Sequence, residues 1–92
     1  MSLEIKHDED DNKFYTIVDG GEAYLRYIMD DYNTMEIIQT YVPNELRDRG
    51  IAGKIVRKCL SFAEEKKLRI IPTCSYTAAF IKRHKEFENL LA

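Results

Sequence analysis

The hydrophobic period of this chain changes once, at Pro43, and that change limits the folds open to it. Before Pro43, short β-prone runs alternate with turn chemistry, which is the pattern of antiparallel strands joined by tight connections. The runs cover 3–7, 13–18, 22–29 and 34–42. Asp8, Glu9, Asp10, Asp11 and Asn12 are too charged to pack and predict a solvated hairpin loop. Asp19, Gly20 and Gly21 tolerate positive φ and predict the second turn, and residues 30–33 predict the third. The adjacent Ile37 and Ile38 point to burial on both faces of the fourth strand, which Pro43 ends.

After Pro43 the apolar residues Ala52, Ile55, Val56, Cys59, Leu60 and Ala63 recur at three- and four-residue spacing. Lys54, Arg57, Lys58, Ser61, Glu64 and Glu65 fall on the opposite side, so an amphipathic helix is predicted over 50–67. Residues 68–71 form a short apolar run closed by Pro72. A helical crossover separates it from the fourth strand, so the two should run parallel. A second helix is predicted over 75–85, and residues 86–92 can add a last turn. The expected class is therefore α+β, with antiparallel strands first and one parallel pair across a helix.

Ninety-two residues, 45% of them hydrophobic, suffice for one domain over 1–92 and leave no room for a second core. No apolar run approaches the roughly 18 residues of a bilayer span, and the first residues lack an apolar leader. The chain reads as soluble and cytoplasmic, with no membrane partner. Cys59 and Cys74 are too few for a disulfide framework and are expected as free thiols, and no Cys/His spacing suggests a metal. Residues 1–42 hold three Lys/Arg against ten Asp/Glu, a net of −7, whereas residues 43–92 hold eleven against six, a net of +5. The basic residues are interleaved with carboxylates, which argues against nucleic acid and for a small polyanion bound by the second half.

The junction of the fourth strand and the long helix is the candidate site for that polyanion. It reads Tyr41, Val42, Pro43, Asn44, Glu45, Leu46, Arg47, Asp48, Arg49, Gly50, Ile51, Ala52, Gly53, Lys54. A glycine turn opening a helix leaves backbone N–H groups free at the positive end of the helix dipole, where phosphate oxygens bind. Gly50 and Gly53 have no Cβ to hold a ligand away. On spacing alone, an ordinary helix start with a solvated basic face explains the stretch equally well.

The order of elements adds a resemblance. The junction resembles the acetyl-CoA-binding motif of the GNAT superfamily, Gln/Arg-x-x-Gly-x-Gly/Ala, with Arg47, Gly50 and Ala52 at its three positions. Val42-Pro43, then Ile71 through Tyr76, then Arg83-His84, look like a compact subgroup of small GNAT-like proteins. The resemblance implies a fifth strand splayed from the fourth and a C-terminal helix. Acetyl-CoA (coenzyme A) would lie in the slot between the strands. Tyr41 and Val42 would contact pantetheine, and Arg47, Arg49, Gly50, Ile51, Ala52, Gly53 and Lys54 would hold the phosphates. Pro72 suits the point of separation because it lacks a backbone donor. Typical members insert two helices between the first two strands. Residues 8–12 leave no space for them, so the acceptor site should be open or completed by a partner.

Acetyl transfer to an amine needs a neutral nucleophile, donors to a developing oxyanion and a proton for the leaving thiolate. A backbone N–H at the splayed end of the fourth strand can serve the oxyanion. Cys74 and Tyr76, where the fifth strand gives way to the second helix, are the candidate catalytic and cofactor-contacting side chains. Tyrosine is the usual acid in the superfamily. Cys74 can instead donate the proton or accept the acetyl group, and its place before a helix start would lower its pKa. Cys59 lies on the apolar stripe and is expected in the core. His84 is a weaker candidate for base or cofactor contact, and His7 has no evident partner. Two functions follow: an N-acetyltransferase acting on a small-molecule or protein amine, or a non-catalytic acyl-CoA-binding or protein-interaction module on the same fold.

Overall fold

A computed structural model describes residues 3–30 and 33–92. Five strands form one sheet in the order of the sequence: β1 (Lys6–Asp8), β2 (Lys13–Val18), β3 (Gly21–Asp30), β4 (Thr34–Tyr41) and β5 (Arg69–Pro72). The pairings among the first four are antiparallel, and β5 runs parallel to β4. The α1 helix (Ile51–Lys66) makes the crossover between them, and α2 (Ser75–Arg83) follows β5. The expected α+β class and strand directions therefore hold. The turn expected over 30–33 includes Asp31 and Tyr32, which lie outside the described residues.

Two expectations are corrected at the ends of the chain. The first strand starts at Lys6 instead of residue 3, because the chain before it serves β2 through one side-chain bond, Thr16 Oγ1 donating to the carbonyl of Glu4 at 2.9 Å. The second helix stops at Arg83. There the His84 ring stacks on Phe80 at 4.0 Å, and residues 85–90 continue as a 3-10 helix.

Alternation along the strands decides which face carries the core. Phe14, Leu25, Met35 and Ile37 point inward to the α1 stripe of Ile55, Val56, Cys59, Leu60 and Ala63, and all are buried. Each buried Leu or Ile contributes about 1.5–3 kcal/mol, so this layer carries much of the stability. The α1 helix ends on Lys67 in the left-handed region at φ 60°, where the Leu68 N–H returns to the Ala63 carbonyl at 2.8 Å. This cap turns the chain directly into β5. The free edge of β5 is covered by the C-terminus, with the Ala92 N–H on the Ile70 carbonyl at 2.9 Å. His7 also faces inward, stacked 3.9 Å from Phe14 and bonded to the Tyr27 hydroxyl at 2.6 Å. Its partner is thus a residue of β3, and burial lowers its pKa.

The expected burial of Ile38 is corrected. Pairing of β3 with β4 shifts between Arg26 and Tyr27, so that Tyr27 faces Ile37 and Arg26 faces Gln39. Ile38 is the extra residue of a β-bulge and is exposed. Past the bulge the alternation is reversed.

Candidate functional site

The bulge positions the site. β4 pairs with β5 only from Thr34 to Ile37, and the last bond across the pair comes from the Cys74 N–H to the Ile37 carbonyl at 2.9 Å. Pro72, opposite Ile37, has no N–H to extend the ladder. β4 nevertheless runs on to Tyr41, still paired with β3 but with its other edge open. A split between parallel strands results, closed at Ile37 and Cys74 and widening toward the start of α1.

A cleft of about 410 Å³ occupies the wide end. Its walls are Thr40 and Tyr41 from β4, Val42, Leu46, Arg47 and Asp48 from the connection, Gly50, Ile51 and Ala52 from the start of α1, and Tyr76 from α2. The connection takes its shape from a 3-10 turn at Asn44–Leu46, and the Arg47 Nε donates to the Val42 carbonyl at 2.9 Å. Arg47 thereby pins the turn to the end of β4 and keeps its remaining N–H groups for the cleft. Gly50 has φ 76° and caps α1 without a side-chain bond. The next amide to find an acceptor is that of Lys54, on the Gly50 carbonyl at 3.2 Å. The amides of Ile51, Ala52 and Gly53 therefore carry the positive end of a 16-residue helix into the cleft.

Three of the residues named from the sequence lie at the margin of this cleft. Arg49 pairs with Asp19 at 3.3 Å and also donates to the Glu45 carbonyl at 3.4 Å. Gly53 turns its Cα hydrogen side toward α2, where a Cβ would lie 3.5 Å from the Tyr76 hydroxyl. Its missing side chain thus serves helix approach, whereas a Cβ on Gly50 would meet no protein atom within 4 Å. Lys54 is exposed one turn into α1.

Cys74 and Tyr76 diverge from a common helix start. The Tyr76 ring crosses to α1, while the Cys74 sulfur lies 3.4 Å from the Thr40 hydroxyl at the narrow end of the split. Partial burial pushes the Cys74 thiol up, but the Thr40 hydroxyl, the Thr77 and Tyr76 amides and the Thr77 hydroxyl together bring it below its ordinary value. Of these, the Thr40 hydroxyl is the group at hydrogen-bond distance, since the sulfur makes no cap bond and the buried Thr77 hydroxyl has no hydrogen-bond partner. Cys59, by contrast, is fully buried in the core, and burial pushes its thiol up. His84 is held at the end of α2 by its Nδ1 and the Phe80 carbonyl, 2.9 Å apart.

Thr40 and Thr77 carry no signal in the sequence, while Leu46 and Asp48 lie within the junction but draw no attention of their own there. Simple alternation from Met35 and Ile37 would turn Thr40 outward, and only the bulge brings it to Cys74. The residue pattern carries no separate signal for it.

A sheet split beside a glycine-led helix start is the architecture of GNAT-type acetyltransferases. A GCN5-like protein of Staphylococcus aureus, solved by NMR, superposes with a TM-score of 0.78 at 30% identity, covering 100% of this chain and 91% of that one. The family model for GCN5-related N-acetyltransferases matches residues 13–90, so the chain belongs to that family. It is also similar to Protein NATD1 of Xenopus tropicalis, 28% identical over 90% of this chain and 78% of that protein. Protein NATD1 of Bos taurus is 30% identical over 89% of this chain and 74% of its own length.

Proposed function

We propose that this protein is an acetyl-CoA-dependent N-acetyltransferase acting on an amine. The observation that carries the reading is the cleft itself, which joins an open strand edge to three free helix amides across an uncapped glycine. Acetyl-CoA, when bound, supplies an acetyl group on a thioester, and its transfer to an amine forms a C–N bond and releases a thiolate.

The residues of the chain divide the work by position. The amides of Ile51, Ala52 and Gly53, with the free N–H groups of Arg47, hold phosphate oxygens. Lys54 and Arg49 add positive potential at the rim. The open backbone edge of Tyr41 and Val42 offers strand-like bonds to the amides of pantetheine, and a β4 amide near the split steadies the oxyanion. Cys74 holds a proton at its sulfur. A thiol below its ordinary pKa is the stronger acid against a free thiol, which suits donation to the leaving sulfur, and the same shift favours nucleophilic attack on the acetyl carbonyl. The Tyr76 hydroxyl is the alternative donor.

The sheet face away from the helices leaves Ile17 and Ile28 in solvent. That exposure favours the second reading, a CoA-binding module whose partner covers the face.

Titration of labelled protein with CoA tests where the cofactor binds. Amide shifts should be largest at Arg47 to Lys54 and at Thr40, Cys74 and Tyr76. Affinity should fall with salt, since phosphate contacts are electrostatic. Shifts confined to the β1–β2 loop would defeat the proposal.

A further inference from the structure

At the narrow end of the split the inner side is crowded, with Ile37 and Thr77 buried and Thr40 and Cys74 half-buried, whereas the outer sheet face is open. The outer sheet face therefore offers an acceptor the open approach.

Register places a distinct group of side chains there. Ile28 of β3, Glu36 of β4 and Ile71 of β5 are direct lateral neighbours in one row. Ile38, displaced by the bulge, adjoins Glu36 two residues along β4. The three isoleucines are 44%, 39% and 36% exposed for Ile28, Ile38 and Ile71, so none is committed to the core. Glu36 accepts a hydrogen bond from the Thr73 hydroxyl at 2.5 Å, which orients the carboxylate and leaves it further acceptor capacity. Among the described residues no Lys, Arg or His pairs with it. Nearby Arg26 is engaged by Asp11 at 3.3 Å, and Arg69 by the Leu91 carbonyl.

From this arrangement we infer that the acceptor is a primary amine carried on an apolar body, which docks as the ammonium at Glu36 with its body over Ile28, Ile38 and Ile71 and gives up a proton to solvent before the neutral nitrogen attacks. The inference rests on the acetyltransferase reading, because it supplies that site with its substrate class. A free carboxylate set among apolar side chains matches a cation attached to an alkyl or aryl group. A polyhydroxylated or multiply charged amine would leave the isoleucines without a partner.

Methyl NMR on isoleucine-labelled protein, with CoA present or absent, gives a readout free of turnover. The probes are 2-phenylethylamine and hexylamine, compared with ethanolamine and spermidine. Phenylethylamine should move the Ile28, Ile38 and Ile71 methyls saturably and bind more tightly than ethanolamine. Ile71→Ser should weaken phenylethylamine roughly fivefold and leave ethanolamine unchanged. Glu36→Gln should weaken both amines by about tenfold. If spermidine or ethanolamine bound as tightly as phenylethylamine, or if these methyls stayed still while CoA moved residues 40–54, the acceptor inference would fail and the cofactor reading would stand. Silence toward both CoA and amines would overturn the two together.

Discussion

Replacing Gly50 with valine is expected to weaken acetyl-CoA binding on the order of a hundredfold or more, with the fold retained. Gly50 sits at φ 76°, and a Cβ there enters open cleft space and touches no protein atom. A branched side chain therefore stands between the helix amides and any phosphate, and it also disfavours the left-handed backbone that aims those amides. Losing two charged hydrogen bonds at about 1.5–3 kcal/mol each accounts for the size of the loss. Backbone strain costs about 1–3 kcal/mol, less than the 5–15 kcal/mol that typically holds a domain together. The buried stripe from Ile55 to Ala63 is untouched. Gly50→Asn separates the two effects, since asparagine tolerates the left-handed region while still adding bulk. Calorimetric titration of both folded variants is the check. Unchanged affinity in each would reduce the turn to an ordinary helix start.

Truncation of Cys74 to alanine should lower acetyl transfer on the order of a hundredfold, with much less effect on cofactor affinity. A proton donor or nucleophile acts mainly in the transition state, so its removal appears in kcat. The sulfur is poised for either role by Thr40 and the start of α2, and it lies outside the residues that wall the wide cleft. Cys59→Ala is the contrasting change. Its sulfur is buried 3.6 Å from that of Met35, so the loss should fall on thermal stability through a small cavity. Full turnover in Cys74→Ala would transfer the role of acid to Tyr76.

What the residue pattern revealed about the fold follows from how strongly each element's period is enforced. The α1 helix was legible to within a residue because its apolar stripe is continuous and Gly50 and Lys67 bound it. β2 was legible exactly at Lys13–Val18 because a charged loop and a glycine turn flank it. The β4 bulge was hidden, since an extra residue in a strand leaves no compositional mark, and the Ile37-Ile38 pair read as two-sided burial. That one residue decides the site. It turns Thr40 to Cys74 and brings Tyr41 beside Tyr24 at 5.4 Å. Arg47, Gly50, Ile51 and Ala52 could be named because the helix start is local in sequence. The same local reasoning names Arg49 and Gly53, but the Arg49 pairing with Asp19 and the approach of the Tyr76 hydroxyl to Gly53 come from distant elements that spacing does not reveal.

The most direct test of the account is acetyl-CoA turnover by the intact protein with a panel of primary amines, following thiol release and the mass of the acetylated product. Release well above spontaneous hydrolysis is expected, dependent on the amine, with one N-acetyl product per CoA released. Tight CoA binding at the cleft with release no faster than hydrolysis for every amine would contradict it, and would leave a CoA-binding module in place of an enzyme.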